Sequence, residues 1–254
     1  MIYFEVKGTG EPLVFIHGFM ENRKIWNDYV SLFSATHQII TIDLAGHGNS
    51  KNFRSTNTMD DFADDVIEVL NHLKISNTTF IGHSMGGYVI LALCEVYPQF
   101  VNKVVLINST SLPDNAEKKE QRLKIIPTIE RNFPLFIKLS IPMLFSDALK
   151  PQLQNEINQL KEIASETSIE GIEAAIFGMR NRPDRTSVFY DSNFPFLIIN
   201  GKFDQTIDVD LFNTIIPLKE NIIIENLACG HVAFWEQKEK VVQLLTNFID
   251  SFDF

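Results

Sequence analysis

Ser84 stands two residues after one glycine and two before another, in Gly82-His83-Ser84-Met85-Gly86. The apolar, β-branched run "TTFIGH" leads into it and the helix-forming run "GGYVILALCEVY" leads away. The serine therefore falls on a strand-to-helix turn, so tight that only small residues fit two positions to either side. Such a turn lifts the hydroxyl above the end of the strand. It also brings the next amide, that of Met85, and the positive end of the following helix to the same point. That is the setting of a nucleophile. A serine hydroxyl attacks a carbonyl only when a base takes its proton, and the base needs a carboxylate to fix its tautomer and stabilise its charge. Asp204 in "INGKFDQTID" and His231 in "LACGHVAFWE" supply those two types, each just after a late strand-like run. Of the six histidines, His17, His37, His47, His72 and His83 precede or adjoin the turn, and only His231 lies downstream. Asp208 is a second candidate for the acid, further from the strand end. At the end of "FIHGFM", the amide of Phe19 could join that of Met85 in holding a developing oxyanion. His17 itself reads as a hydrogen-bonded structural residue.

Seven strand-like runs can position these groups: "IYFEV", "PLVFIH", "QIITIDL", "TTFIGH", "KVVLIN", "FPFLIIN" and "NIIIENL". Several are apolar at consecutive positions, as strands buried on both faces of a parallel sheet are. Helical runs alternate with them. In "TMDDFADDVIEVLNHLK" the apolar residues Phe62, Val66, Val69, Leu70 and Leu73 keep helical spacing, with Thr58 and Asp61 in a capping-box pattern. The run after Ser84 is stopped by Pro98, and "KEKVVQLLTNFIDSF" repeats apolar residues at helical spacing. Alternation of this kind predicts an α/β fold: a mostly parallel central sheet with helices on both faces. Between Pro113 and Ser187 the rhythm breaks into helical segments rich in Phe, Ile, Leu and Pro, with no convincing strand. The expected organisation is a core of residues 1–112 and 188–254 with a helical lid, 113–187, inserted into it.

Composition narrows the function. The 254 residues are 45% hydrophobic and 21% charged, as in ordinary globular proteins. The formal net charge of −10, with no Lys/Arg cluster to offset it, disfavours nucleic acid and anionic membranes as partners. No run is long enough for a membrane span, and the first residues lack the basic and apolar segments of a signal peptide, so a cytoplasmic location is expected. Cys94 reads as core, and Cys229, two residues before His231, as a small buried hydrophobe rather than a reactive thiol. No His/Cys/acid spacing implies a metal, and no cofactor is expected.

The motifs "HGF", "DLAGHGNS", "GHSMGG", "RPDRT", "GKFD" and "GHVAFWE" together, in this order, resemble the α/β-hydrolase superfamily along essentially the whole chain. Among its members the chain is similar to compact, lidded esterases. That resemblance implies Ser84 as nucleophile, His231 as general base and acid, Asp204 as orienting acid, and Phe19 and Met85 amides as the oxyanion hole. Asn108 stands where some relatives carry the acid, which favours Asp204. A serine at the turn sets aside the dehalogenase and epoxide hydrolase routes, whose relatives use aspartate there. The implied activity is a serine carboxylesterase cleaving small to medium apolar esters through an acyl-enzyme. Two enzymatic alternatives share the triad: C–C bond hydrolases and a menaquinone-pathway lyase resembling 2-succinyl-6-hydroxy-2,4-cyclohexadiene-1-carboxylate synthase. Both act on anionic substrates and would want arginines in the pocket. Arg180, Arg182 and Arg185, where the lid rejoins the sheet, are expected instead to form ion pairs tying lid to core. A third alternative is a hydrolase-fold ligand receptor with slow turnover.

Overall fold

All seven strand-like runs enter one sheet. They are β1 (Phe4–Lys7), β2 (Glu11–Ile16), β3 (His37–Ile42), β4 (Thr78–His83), β5 (Val101–Ile107), β6 (Phe196–Gly201) and β7 (Ile222–Leu227). In the computed structural model, which describes residues 1–251, their order is β1-β3-β2-β4-β5-β6-β7. The last three residues of the expected 188–254 segment lie outside the described residues. β1 runs antiparallel to β3, and every other pairing is parallel. Parallel strands place all their C-terminal ends at one edge. Register makes that edge level at the centre, with Ile16 opposite Gly82 and His83 opposite Ile107. His17, Ser84 and Asn108 therefore open three adjacent loops.

β4 is buried at all six positions, because both faces of the sheet are covered. Val14, Ile16, Phe80, Val104 and Leu106 face a cluster with α2 (Met59–Leu73) and α3 (Met85–Val96), through Phe62, Val66, Val89 and Leu93. The alternate residues Leu13, Phe15, Ile81, Val105 and Ile107 face the other side. There α1 (Asn27–Phe33) contributes Tyr29 and Phe33, and the C-terminal helix, Lys238–Ser251, contributes Val241, Leu245 and Phe248. Successive residues that are all buried but alternate between the two clusters are what a doubly covered sheet requires. The capping box of α2 forms: Thr58 Oγ1 accepts the Asp61 amide at 3.0 Å, and Asp61 accepts the Thr58 amide at 2.8 Å.

Among the described residues, everything regular between β5 and β6 is helical: α4 (Ala116–Ser140), a 3₁₀ turn (Ile141–Leu144), α5 (Gln154–Ser165), α6 (Ile169–Asn181) and α7 (Ser187–Asp191). α4 is two helices in one. Asn132 leaves helical geometry (φ −159°, ψ 77°) and its side chain accepts the Leu135 amide at 3.1 Å. It thus ends the first piece and caps the second, with Pro134 in the first turn, where its missing N–H costs nothing. Ile129, Ile137, Ile141, Leu160 and Ile172 join the same apolar cluster as Ile81 and Ile107. After β6 come α8 (Val209–Ile215), β7, α9 (Ala233–Glu236) and α10, the C-terminal helix already described. No helix among the described residues is long and apolar enough to cross a membrane.

Candidate active site

Ser84 links β4 to α3 with φ 49° and ψ −114°, a conformation that costs a non-glycine residue about 1–3 kcal/mol. The turn that imposes it is closed by near-contact of backbones. A Cβ on Gly82 would sit 2.8 Å from the Gly86 carbonyl carbon, and one on Gly86 only 2.4 Å from the Ile16 oxygen. The Ser84 amide donates to Ile107 O at 3.0 Å, and its carbonyl accepts from Ser109 Oγ at 2.8 Å. The strain is thus held by hydrogen bonds to β5 and the loop after it.

Two more loops bring their side chains to this serine. His231 Nε2 lies 2.9 Å from Ser84 Oγ, and His231 Nδ1 lies 2.7 Å from Asp204 Oδ2. With Nδ1–H donating to the carboxylate, Nε2 is left to accept the serine proton. Ser84 is 9% exposed, while the side chains of His231 and Asp204 are buried. Burial works to raise the Asp204 carboxyl. The His231 ring, the Thr206 amide and Asn108 outweigh it and hold the group below the usual carboxylate range. Asp208, the other acid considered, accepts the Leu211 amide at 2.9 Å as the cap of α8. The amides of Phe19 and Met85 have no acceptor among the described residues. One follows β2 and the other starts α3, the two loops that flank the hydroxyl. The arrangement can move a proton off Ser84 and offer two donors to a negative oxygen.

The family model described as "alpha/beta hydrolase fold" matches residues 11–140, the stretch that carries β2, the Ser84 turn and α3. This chain belongs to that family. As an alpha/beta hydrolase it is similar to several proteins along nearly its whole length. It is 28% identical over 256 residues to the dihydrolipoyllysine-residue acetyltransferase component of an acetoin cleaving system from Pseudomonas putida, covering 97% of this chain and 66% of that protein. It is 24% identical over 266 residues to a 2-hydroxy-6-oxononadienedioate/2-hydroxy-6-oxononatrienedioate hydrolase from Burkholderia vietnamiensis, covering 98% and 90%. Its fold matches a thermophilic esterase from Thermogutta terrifontis with a TM-score of 0.91 at 27% identity, over 98% of this chain and 92% of that one. The chain is thus similar to an acetyltransferase component, a dienedioate hydrolase and an esterase alike, so the reaction must be argued from the site.

Around the alpha/beta hydrolase turn lie groups that sequence reasoning did not single out. Glu21 is buried, and its Oε2 accepts the Gly18 amide at 2.6 Å and His83 Nδ1–H at 2.9 Å. The other nitrogen of His83, Nε2, donates to His231 O at 2.8 Å. With acceptors on both ring nitrogens, His83 is an imidazolium, paired with Glu21. Burial opposes that charge, but the Glu21 carboxylate prevails and raises the His83 pKa. His17 is the converse: it donates from Nδ1 to Gly18 O and accepts the Leu44 amide on Nε2, so it is neutral. The His231 loop is fastened to the helical segment. The His231 amide donates to Leu144 O at 2.7 Å, and Glu236 accepts from both the Gly230 and Ser146 amides. The pairs that join the loops, Glu21 with His83, His83 with His231, and His231 with Leu144, are distant in sequence, and no local spacing announces them.

Beside Ser84 and His231 opens a cavity of about 140 Å³, lined mainly by Phe19, Tyr88, Phe136, Ile141, Leu144 and Met179. Among the arginines it is Arg122, on α4, that borders it. Arg185 bonds Asp60 on α2 and Glu95 on α3, tying the helical segment to the core. Arg182 pairs with Asp114 and stacks 4.1 Å over the Tyr88 ring. Arg180 departs from the expected ion pairing and donates to Asn181 Oδ1. Cys94 and Cys229 are buried, and burial pushes both thiols up. Among the described residues no group of three His, Cys, Asp or Glu side chains is placed to hold a metal ion.

Proposed function

We propose that this alpha/beta hydrolase is a serine carboxylesterase acting on small esters. The observation that carries the reading is the continuous hydrogen-bonded path from Ser84 Oγ through His231 to Asp204. In the mechanism that follows, His231 Nε2 takes the proton from Ser84 as the oxygen attacks the ester carbonyl. The tetrahedral oxyanion is held by the amides of Phe19 and Met85. His231 then returns the proton to the leaving alcohol, forming an acyl-Ser84. Water enters and attacks the acyl carbon as it gives a proton to the same histidine, which then returns that proton to Ser84 Oγ as the ester bond to it breaks and the acid leaves. Asp204 remains ionised throughout and steadies the imidazolium. The small, largely apolar cavity favours short acyl chains. On this reading residues 113–187 act as a lid, since Phe136, Ile141, Leu144 and Met179 cover the serine from that segment.

The test is turnover of 4-nitrophenyl esters of two to eight acyl carbons by the wild type and Ser84→Ala. A loss of roughly a hundred-thousand- to a million-fold in kcat is expected. Equal turnover by the two proteins sinks the enzyme reading and leaves the ligand-receptor alternative. Similarity to the dienedioate hydrolase over 98% of the chain supports C–C bond hydrolysis as a second reading. Cleavage of a ring-fission dienoate faster than any ester would select it.

A further inference from the structure

One wall of the cavity carries more positive charge than its own carboxylates neutralise. Arg122 borders the cavity with a side chain only 13% exposed. Its Nε and Nη2 donate to Asp114, and Nη1 reaches only the thioether sulfur of Met179, at 3.5 Å. Of five guanidinium N–H bonds, two meet a carboxylate and one a weak acceptor. No other described residue takes the rest. Asp114 is not Arg122's alone, for Arg182 Nη1 binds the same carboxylate at 2.7 Å. Two guanidiniums therefore share one fully buried carboxylate. Lys118, one turn earlier on α4, donates to the carbonyl of Thr206, another cavity residue. Burial and the positive charge of Arg122 push the Lys118 amine down, as crowding of like charges should.

The other acids nearby do not cancel this excess. Glu21, which also borders the cavity, is balanced by the doubly donating His83. Asp204 is occupied by His231, Asn108 and the amides of Thr206 and Ile207. A partly desolvated guanidinium with unused N–H bonds is matched best by a planar anion that takes two of them.

We propose that Arg122 is the counter-ion for a carboxylate on the substrate, so that the ester hydrolysed at Ser84 is a half-ester of a short dicarboxylic acid. The inference rests on the serine esterase reading and narrows its substrate class. In a cavity of about 140 Å³ the acid group must lie only a few bonds from the ester carbonyl. The sequence expectation of a small to medium apolar ester is refined accordingly: apolar residues line the short methylene chain and Arg122 receives its end.

Two measurements separate this inference from the reading beneath it. Hydrolysis of monoethyl glutarate is compared by pH-stat with that of the neutral, isosteric ethyl ester of glutaramic acid. The ratio of kcat/KM for acid over amide should favour the acid in the wild type. It should fall roughly ten- to hundredfold in Arg122→Gln, the range of a hydrogen bond to a charged group, and less in Arg122→Lys, which keeps the charge and the Asp114 pair. A wild-type ratio near one, or a ratio unchanged in Arg122→Gln, overturns the proposal and leaves Arg122 as Asp114's partner alone. In parallel, calorimetry measures binding of intact monoethyl glutarate to Ser84→Ala with and without Arg122→Gln. Arg122-dependent binding without wild-type turnover would keep the anion site and reject the esterase. Absence of both binding and turnover rejects both.

Discussion

At Asp204 four donors meet one carboxylate. Oδ2 takes His231 Nδ1–H at 2.7 Å and Asn108 Nδ2–H at 3.0 Å, while Oδ1 takes the Thr206 and Ile207 amides at 2.7 and 3.2 Å. Asn108 also donates to Gly230 O and accepts the Ala233 amide, so one side chain holds both Asp204 and the loop of His231. Asp208 faces away from this duty as a helix cap. We expect Asp204→Asn to lower kcat on the order of ten-thousand-fold, and Asp208→Asn to cost no more than a few-fold. Steady-state kinetics on a single ester decides it, and a near-wild-type Asp204→Asn would reassign the acid. Ser84, Asp204 and His231 were legible in the sequence because each announces itself locally, by residue type and by following a strand-like run. Glu21 and Arg122 were not. Glu21 matters through a histidine 62 positions away, and Arg122 sits in the charged run "KKEQRLK", which reads as a solvated helix face. In the sequence Asn108 stands out only as a residue that is not an acid; its three side-chain hydrogen bonds depend on loops that meet in space alone.

At the scale of elements, the strand-to-helix turn is a packing problem before it is a chemical one. α3 can start directly above β4 only because Gly86 lets it lie against the end of β2. A Cβ there would meet backbone atoms of Ile16 and His17 at 2.4–2.8 Å, and backbone cannot rotate aside as a side chain would. Gly86→Ala should therefore cost about 1–3 kcal/mol, which lowers the melting midpoint by roughly 2–12 °C in a domain of this size. It should also reduce kcat more than it raises KM, since it shifts Ser84 relative to His231. A midpoint unchanged in differential scanning calorimetry would show that the turn has slack the close contacts deny. The strands were readable from apolar runs because both faces of the sheet are covered. The break of α4 at Asn132 was not, since Phe, Ile and Leu continue across it at spacing that suits a helix. Apolar periodicity does not record what makes the break: Pro134, which bars a continuous helix, and the Asn132 side chain that caps the second piece.

For the molecule as a whole, buried titratable groups set how stability follows pH, and five of them show both signs. His17 is lowered by burial, and His47 is pushed down to about 3 by burial and by His17 beside it. Glu21 and Asp204 are held low despite burial, by His83 and His231 respectively. In all four the unfolded chain binds protons that the folded one refuses, so stability is lost on acidification below about pH 6.5. His83 has the opposite sign. Its raised pKa contributes fully below the unfolded value and is lost as pH rises through the folded one. The melting midpoint should peak near pH 6–7 and decline on both sides, with the alkaline decline flattened in Glu21→Gln. A wild-type midpoint level from pH 6.5 to 9 would mean that His83 carries no such charge. The order of the sheet has one more consequence, for a chain still being made. Ser84 is synthesised 147 residues before the histidine that lies against it, and β6 and β7, which precede Asp204 and His231, are the last strands to emerge. On the serine esterase reading, a prematurely ended chain would carry the nucleophile without its base and acid, and hydrolytic power would arrive only with the final strand.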